Sequence, residues 1–262
     1  MTSEITVEPF FFGPSEGRLY GCYERPKATT RTTGILLCNP MGPEYWSTHR
    51  GLRQLASRLA QKGFPVLRFD YLGTGDSSGD SRHAGFMQMA RDLFVALSEL
   101  ERRSRYTSVA IVGQRLGGSL ILSTDFSREP LAGMVVWDPV VRGAELVEDI
   151  LARSRSNSVK SGSSVSTDVE YKGFSWTASF REELTYVDVS APAEASASRM
   201  LFVETAHNEA LGPLCESHRA RGSRVEHFVS ESPRADIDEV DRIAVPAKAI
   251  HRIVGWMEAE LP

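Results

Sequence analysis

Residues 109–120, VAIVGQRLGGSL, hold the side chains whose types and spacing could do chemistry. An apolar run passes through Gly113-Gln114-Arg115-Leu116-Gly117 into a segment of small residues. Glycines on both sides of Arg115 suit a tight strand-to-helix turn, where flanking side chains have no room and the central residue is forced outward. That residue stands at a helix start, where backbone N–H groups favour negative charge. A guanidinium stays protonated and cannot attack a carbonyl, so covalent acyl chemistry is excluded at position 115. It can instead hold a carboxylate, phosphate or enolate through paired hydrogen bonds. The opposite expectation is that Arg115 pairs with a carboxylate of its own chain and fills a dead pocket. Glu44, Asp138 and Glu204 are the candidates, each at an expected carboxyl end of a strand.

The elements that must position these residues follow from hydrophobic periodicity. Thr6–Phe12 is a β-rich run, residues 13–17 form a Gly/Pro turn cluster, and 18–24 alternate as a return strand. Residues 35–38, 66–69, 109–112, 134–137 and 200–203 are short apolar runs, the pattern of strands covered on both faces, and 225–229 is a further strand. Leu52, Leu55, Ala56, Leu59 and Ala60 recur at helical spacing, in a helix capped by Ser47 or Thr48 and stopped at Lys62-Gly63. Further helices are expected over 86–103, 116–123, 211–221 and 247–260. Strands alternating with helices predict an α/β fold, a mostly parallel sheet with helices on both faces.

One segment breaks the alternation. Residues 143–190 start helical at 145–151, turn polar through SRSNSVKSGSSVSTD, and recover with Tyr171, Phe174, Trp176 and Phe180. An insertion mixing a polar hinge with aromatics predicts a cap or lid over a pocket, the plainer alternative being a surface loop with a peripheral helix. The expected organisation is a core of residues 1–142 and 191–262 interrupted by that cap at 143–190.

Composition narrows the function classes. The 262 residues are 41% apolar and 24% charged, the mix of one globular α/β domain with a sizeable core. No run of about 18 apolar residues occurs, so no membrane partner is expected. The opening MTSEITVEPFFFG lacks a basic start followed by an apolar stretch, so no secretion signal is expected. Thirty basic against 34 acidic residues give a net charge of −4, which argues against a nucleic-acid partner. Cys22, Cys38 and Cys215 are too few and too scattered for a disulfide frame or a zinc site. A cytoplasmic protein with no metal and no cofactor is expected, its partner a small acyl or carboxylate molecule, free or bound to a carrier protein. Oligomeric state is left open.

Further motifs join the turn. RFDYLGTGDSSG at 68–79 resembles the loop after the fourth strand of α/β-hydrolases, which carry Asp-x-x-Gly-x-Gly-x-Ser there. CNPMGPEY at 38–45 stands where that family places its oxyanion loop, and the 143–190 insertion follows the sixth strand, where those proteins carry a cap. With residues 113–117 at the place of the nucleophile elbow, the chain resembles the α/β-hydrolase superfamily from about residue 10 to residue 256. More narrowly, GQRLGG, the pair His49-Arg50 and WDPVV at 137–141 are similar to serine-aminopeptidase-like relatives that accompany exosortase systems and polyketide or nonribosomal peptide gene clusters.

The chain departs from the pattern that the resemblance implies at two catalytic positions. Arg115 stands where the family keeps its nucleophile. The family's base would fall in residues 230–245, which contain no His, and His227 and His251 are expected to be structural or surface residues. The acid would fall in 204–209, which offers Glu204, His207 and Glu209, but an acid with no imidazole to orient has no triad role. Ser119, one helical turn past Arg115, is expected to point elsewhere. By resemblance the backbone N–H groups of Met41 and Leu116 form the oxyanion pair. Candidate catalytic residues are therefore Arg115, Glu44 and His49, the last two as an acid/base pair or else as capping and ion-pair residues. Candidate substrate contacts are Met41, Leu116, Asp138, Glu204 and Trp176, the Trp alternatively packing a lid onto the domain. Cys38 is expected in the core, and Asp70 and Asp76 as holders of their Gly-rich loop.

Three functions stay open. One is a non-covalent enzyme acting on an acyl, carboxylate or carrier-tethered intermediate of specialised metabolism, by acyl transfer, cyclisation, dehydration or elimination. Another is a non-catalytic relative that binds a ligand or stabilises a partner. The third is an ordinary esterase or thioesterase, for which no serine is found.

Overall fold

Strands that are apolar on both faces need covering on both faces, and the fold is arranged around that demand. The computed structural model describes residues 6–26, 31–157, 167–191, 196–230 and 245–262. Its strands are β1 (Thr6–Phe12), β2 (Leu19–Arg25), β3 (Thr33–Cys38), β4 (Val66–Phe69), β5 (Ser108–Gln114), β6 (Leu131–Trp137), β7 (Val169–Tyr171), β8 (Phe174–Trp176), β9 (Arg199–Glu204) and β10 (Arg224–Val229). Its helices are α1 (Pro43–Gln61), α2 (Phe86–Ser104), α3 (Leu116–Ser123), α4 (Gly143–Asn157), α5 (Ala178–Thr185), α6 (Leu211–Ala220) and α7 (Ala247–Glu260).

Eight strands form one sheet in the order β1-β2-β4-β3-β5-β6-β9-β10. The pairs β1/β2 and β2/β4 are antiparallel, and every pair from β4 to β10 is parallel. Successive residues of a strand face opposite sides. Ile35, Leu37, Val112, Val135 and Val203 meet α1 and α7 on one face, while Leu36, Ile111, Val136 and Phe202 meet α2, α3 and α6 on the other. Parallel strands then bring the loops after β3, β5, β6 and β9 to one edge of the sheet.

Several expectations need correction. Helix α1 starts at Pro43, not at a Ser47 or Thr48 cap: Gly42 turns the chain with φ 68°, and Pro43, with φ preset for a helix, takes the first position. Both hydroxyls instead donate to the Glu44 carbonyl inside the helix, at 2.9 and 2.8 Å. Helix α4 runs past 151 to Asn157, with Arg153 bonded to Asp149 one turn earlier. The aromatics after the polar stretch belong to an unforeseen hairpin, β7–β8, joined by Lys172 and Gly173, both at positive φ as a two-residue primed turn demands. Residues 158–166 of the polar stretch lie outside the described residues.

The 143–190 segment is anchored at both ends. An isolated antiparallel bridge joins Arg142 to Asp188, and the Val187 and Val141 carbonyls accept from the Gly143 and Val189 N–H groups, at 2.8 and 3.0 Å. Phe174, Trp176, Phe180 and Leu184 are buried in the same apolar cluster as α2 and α3.

Candidate functional site

The turn after β5 is as tight as its glycines suggest. Arg115 is the single residue between β5 and α3, at φ 54° and ψ −122°. A Cβ on Gly113 would stand 2.4 Å from the Gly117 carbonyl oxygen, and one on Gly117 2.4 Å from that of Cys38 and 2.6 Å from that of Asn39. Helix α3 therefore starts in backbone contact with the end of β3. A non-glycine residue in the left-handed region costs roughly 1–2 kcal/mol, and here the surrounding packing holds it. The Arg115 N–H donates to the Trp137 carbonyl at 2.9 Å, and its own carbonyl accepts from Gly118 and Ser119.

The guanidinium is held from two sides. Its Nε donates to Glu44 Oε1 at 2.8 Å and its Nη1 to the Asp138 carbonyl at 3.0 Å. The pair is largely buried, with side chains 15% and 12% exposed. Glu44 lies in the first turn of α1, where the helix dipole favours a carboxylate.

The three candidate partner carboxylates thus divide. Glu44 pairs with Arg115. Asp138, at φ 42°, gives its backbone carbonyl to Arg115 and turns its carboxylate to Thr205, accepting from that residue's N–H at 2.7 Å and from its hydroxyl. Burial pushes the Asp138 carboxyl above its ordinary range, opposed by the Thr205 bonds and by Arg115. Glu204, buried at the end of β9, goes to neither. Its Oε2 meets His227 Nε2 at 2.9 Å and its Oε1 accepts from the Asn208 N–H at 2.8 Å, with His207 Nδ1 at 3.4 Å.

That arrangement overturns the expectation that Glu204 has no imidazole to orient. His227 lies opposite Phe202, and Glu204 opposite Val229, so the two stand on one face of adjacent parallel strands, two register positions apart. Alternation within both strands was the signal that could have paired them. The pair lies beyond β6 from the turn: Glu204 ends β9, two strand spacings or about 10 Å from β5, and His227 lies on β10, three spacings or about 14 Å from it.

Around Arg115, the backbone N–H groups of Met41 and Leu116 make no hydrogen bond among the described residues. Both side chains are buried. The Trp176 ring lies over Gly42, where a Cβ would come within 2.5 Å of it, and Trp176 stacks on Phe180 at 5.3 Å. Its indole N–H is buried without a hydrogen bond among the described residues.

Other candidates lie elsewhere. His49 and Glu44 are not an acid/base pair, because five helical residues separate them by about 140° of rotation. His49 packs on Tyr45 and faces a 360 Å³ cavity with Arg53, Arg68 and Asp70, and burial and then Arg68 lower its pKa. Ser119 is fully buried and donates to the Val140 carbonyl at 2.6 Å. Cys38 is fully buried, its thiol pushed up to about 12, which suits core and not nucleophile. Asp70 Oδ2 accepts from the Asp76 N–H and its Oδ1 from Tyr45, so Asp70 does hold the Gly-rich loop. No group of three or more His, Cys, Asp or Glu among the described residues could hold a metal ion, and no described helix is long and apolar enough to cross a membrane.

Comparison with known proteins places this geometry. The family model described as serine aminopeptidase, S33, matches residues 45–183. No curated protein matches by sequence. Among solved structures, Est1E from Butyrivibrio proteoclasticus with ferulic acid bound superposes with a TM-score of 0.71 at 13% identity, over 96% of this chain and 98% of that one. An esterase from Pyrococcus furiosus gives 0.68 at 13% identity, over 98% and 92%. An esterase from Pyrobaculum calidifontis gives 0.67 at 14% identity, over 97% and 85%. At these identities the likeness is one of fold.

Proposed function

Because the chain belongs to the serine aminopeptidase S33 family of α/β-hydrolases, we propose that it keeps that family's shell but works without an acyl-enzyme. It would bind an acyl, carboxylate or carrier-tethered compound between the turn at Arg115, the loop at Met41 and a cap that includes Trp176. The observation that carries this is the guanidinium in the strained turn after β5, beside two backbone N–H groups with no hydrogen bond among the described residues. Where the family would place an attacking oxygen, the chain presents a fixed cation and aimed donors. Acyl transfer, cyclisation, dehydration or elimination in specialised metabolism would be served by orientation and charge alone.

A non-catalytic role is the second reading, favoured by a specific pair of contacts. Glu44 already takes up the Arg115 charge, and Trp176 covers Gly42. An ordinary esterase, as two of the structural neighbours are named, would need a serine at the turn, and Ser119 is buried and bonded away from it.

Two measurements separate these. Fluorophosphonate labelling together with a chromogenic short-chain ester should give no labelled serine and no turnover; labelling of one serine would revive the esterase. A thermal-shift screen over acyl-CoAs, acyl amides and carboxylic acids should show at least one large stabilisation, on the order of 3 kcal/mol at a hundredfold excess over Kd. A flat response across the panel would leave the non-catalytic reading.

A further inference from the structure

A buried guanidinium must find acceptors for its N–H groups or lose the hydrogen bonds that water would give it. Arg68, on β4, does not find them in its own chain. Its side chain is 11% exposed, its Nε is buried, and its guanidinium makes no hydrogen bond among the described residues. Glu24, fully buried on β2, stands 3.6 Å from Nε, near enough to balance charge but beyond hydrogen-bond distance.

Arg68 lines the 360 Å³ cavity between α1 and strands β1, β2 and β4. Arg53 lines it from α1, exposed and with no hydrogen bond or ion pair among the described residues. The two guanidiniums converge there, since both act electrostatically on His49 and on Glu24. Two carboxylates also line the cavity. Asp70 is spent on its own loop, accepting from Tyr45 at 2.8 Å and from the Asp76 N–H at 3.1 Å, and Asp76 is exposed. An adjoining 580 Å³ cavity shares His49 and Arg53 and adds Arg50 and Arg58, with no carboxylate among its described lining residues.

Donors that arrive from α1 and from β4 suit an anion whose oxygens point in several directions. A carboxylate offers two oxygens in one plane and faces one guanidinium; a phosphate monoester offers three and can meet both. We propose that this cavity binds the phosphate of a small organic monoester between Arg53 and Arg68, with its organic part against Tyr20 and Tyr45. Its lining includes none of Arg115, Met41 and Leu116, so the site does not depend on the function proposed above.

Cys22 is a reporter already in place. It lines the cavity half-buried, its Sγ 3.8 Å from the Tyr20 hydroxyl, whereas Cys38 and Cys215 are buried with thiols pushed up to about 12. At about pH 7.5 and fixed ionic strength, N-ethylmaleimide should modify Cys22 first, as read by peptide mass spectrometry. Saturating phenyl phosphate, close to a dianion at that pH, should slow the modification at least about fivefold. Phenol and benzyl alcohol at the same concentration should slow it by less than about twofold. Calorimetry on the whole chain gives the affinity for phenyl phosphate. Arg53→Gln should weaken it about tenfold or more, and Arg128→Gln, at an exposed arginine outside the cavity, by less than about twofold.

No calorimetric binding up to several millimolar would overturn the site. Binding that leaves Cys22 unprotected would put the anion elsewhere and overturn the cavity as its place. Equal protection by phenol would overturn the phosphate as the group recognised. A Cys22 that does not react in the free chain would show a cavity closed to small molecules, with the same consequence. Equal losses in the two arginine variants would reduce the binding to a general attraction of charge and overturn the proposal.

Discussion

At the carboxyl end of β5, a cation stands in a strained turn, with Glu44 as its counter-ion and a tryptophan ring over the neighbouring loop. At the carboxyl ends of β9 and β10, a buried carboxylate bonds an imidazole at 2.9 Å. The first region has donors and a cation already paired with a carboxylate, Glu44. The second has an acid and a base but no nucleophile in contact with them among the described residues. What separates them is topology: β6 lies between β5 and the strand that carries Glu204, β9 lies beyond that before His227, and His227 sits within its strand. A shared fold does not by itself fix which reactive groups meet.

The comparison can be broken most severely at the turn. Gly117→Ala would drive a Cβ into two backbone carbonyls, which have no rotamer to relieve it, and should cost about 3–5 kcal/mol in urea denaturation. Gly212→Ala in α6, where a Cβ meets nothing within 4 Å, is the control; it should change stability by less than about 1 kcal/mol, in the stabilising direction. Equal losses in the two variants would show that the turn is not the tight junction described.

A smaller effect lies on the other side, in the contrast between two histidines. His227 has a carboxylate partner, whereas His218, packed on Phe202, is fully buried with neither ring nitrogen bonded among the described residues. Burial, and secondarily Arg221, lowers the His218 pKa from its ordinary 6.5 to about 4. The unfolded chain takes up that proton at the higher pH, so the contribution of His218 is intact above pH 6.5 and is lost as pH falls from 6.5 to about 4. His218→Leu should flatten the fall in Tm across that window. A wild-type Tm that does not move there would contradict the neutral, buried ring.

The smallest expected effect is the most direct check on the separation of the two regions. Arg115→Ser puts a hydroxyl into the turn, but the His227 imidazole stands on β10, three strand spacings or about 14 Å from β5, too far to activate it. The variant should hydrolyse a nitrophenyl ester no faster than the wild type and take no fluorophosphonate at position 115. Rapid labelling there would mean that an imidazole reaches the turn after all.

Much of the fold was legible because two-sided burial leaves a mark on the chain. The ILLC and MVVW runs became β3 and β6, and the small-residue segment at 116–123 became α3 with the same bounds. Elements governed by local competition were harder. Ser47 and Thr48 look like caps, yet a glycine at positive φ followed by a proline started α1 four residues before Ser47. The strands of the β7–β8 hairpin are three residues each, too short to print a period. The Glu204–His227 pair escaped because its members lie 23 residues apart and meet only through strand register.

The sequence alone determined that position 115 is a cation, since a guanidinium's protonation belongs to the group itself and no protein environment removes it at neutral pH. Only the tertiary structure decided which carboxylate answers it. Three acids were candidates; packing brought Glu44, 71 residues away in the chain, within 2.8 Å, turned Asp138 to Thr205, and left Glu204 to an imidazole on the neighbouring strand. Charge is a property of the residue, but ion pairing depends on distance and on exclusion from water, and both are set by how the elements pack.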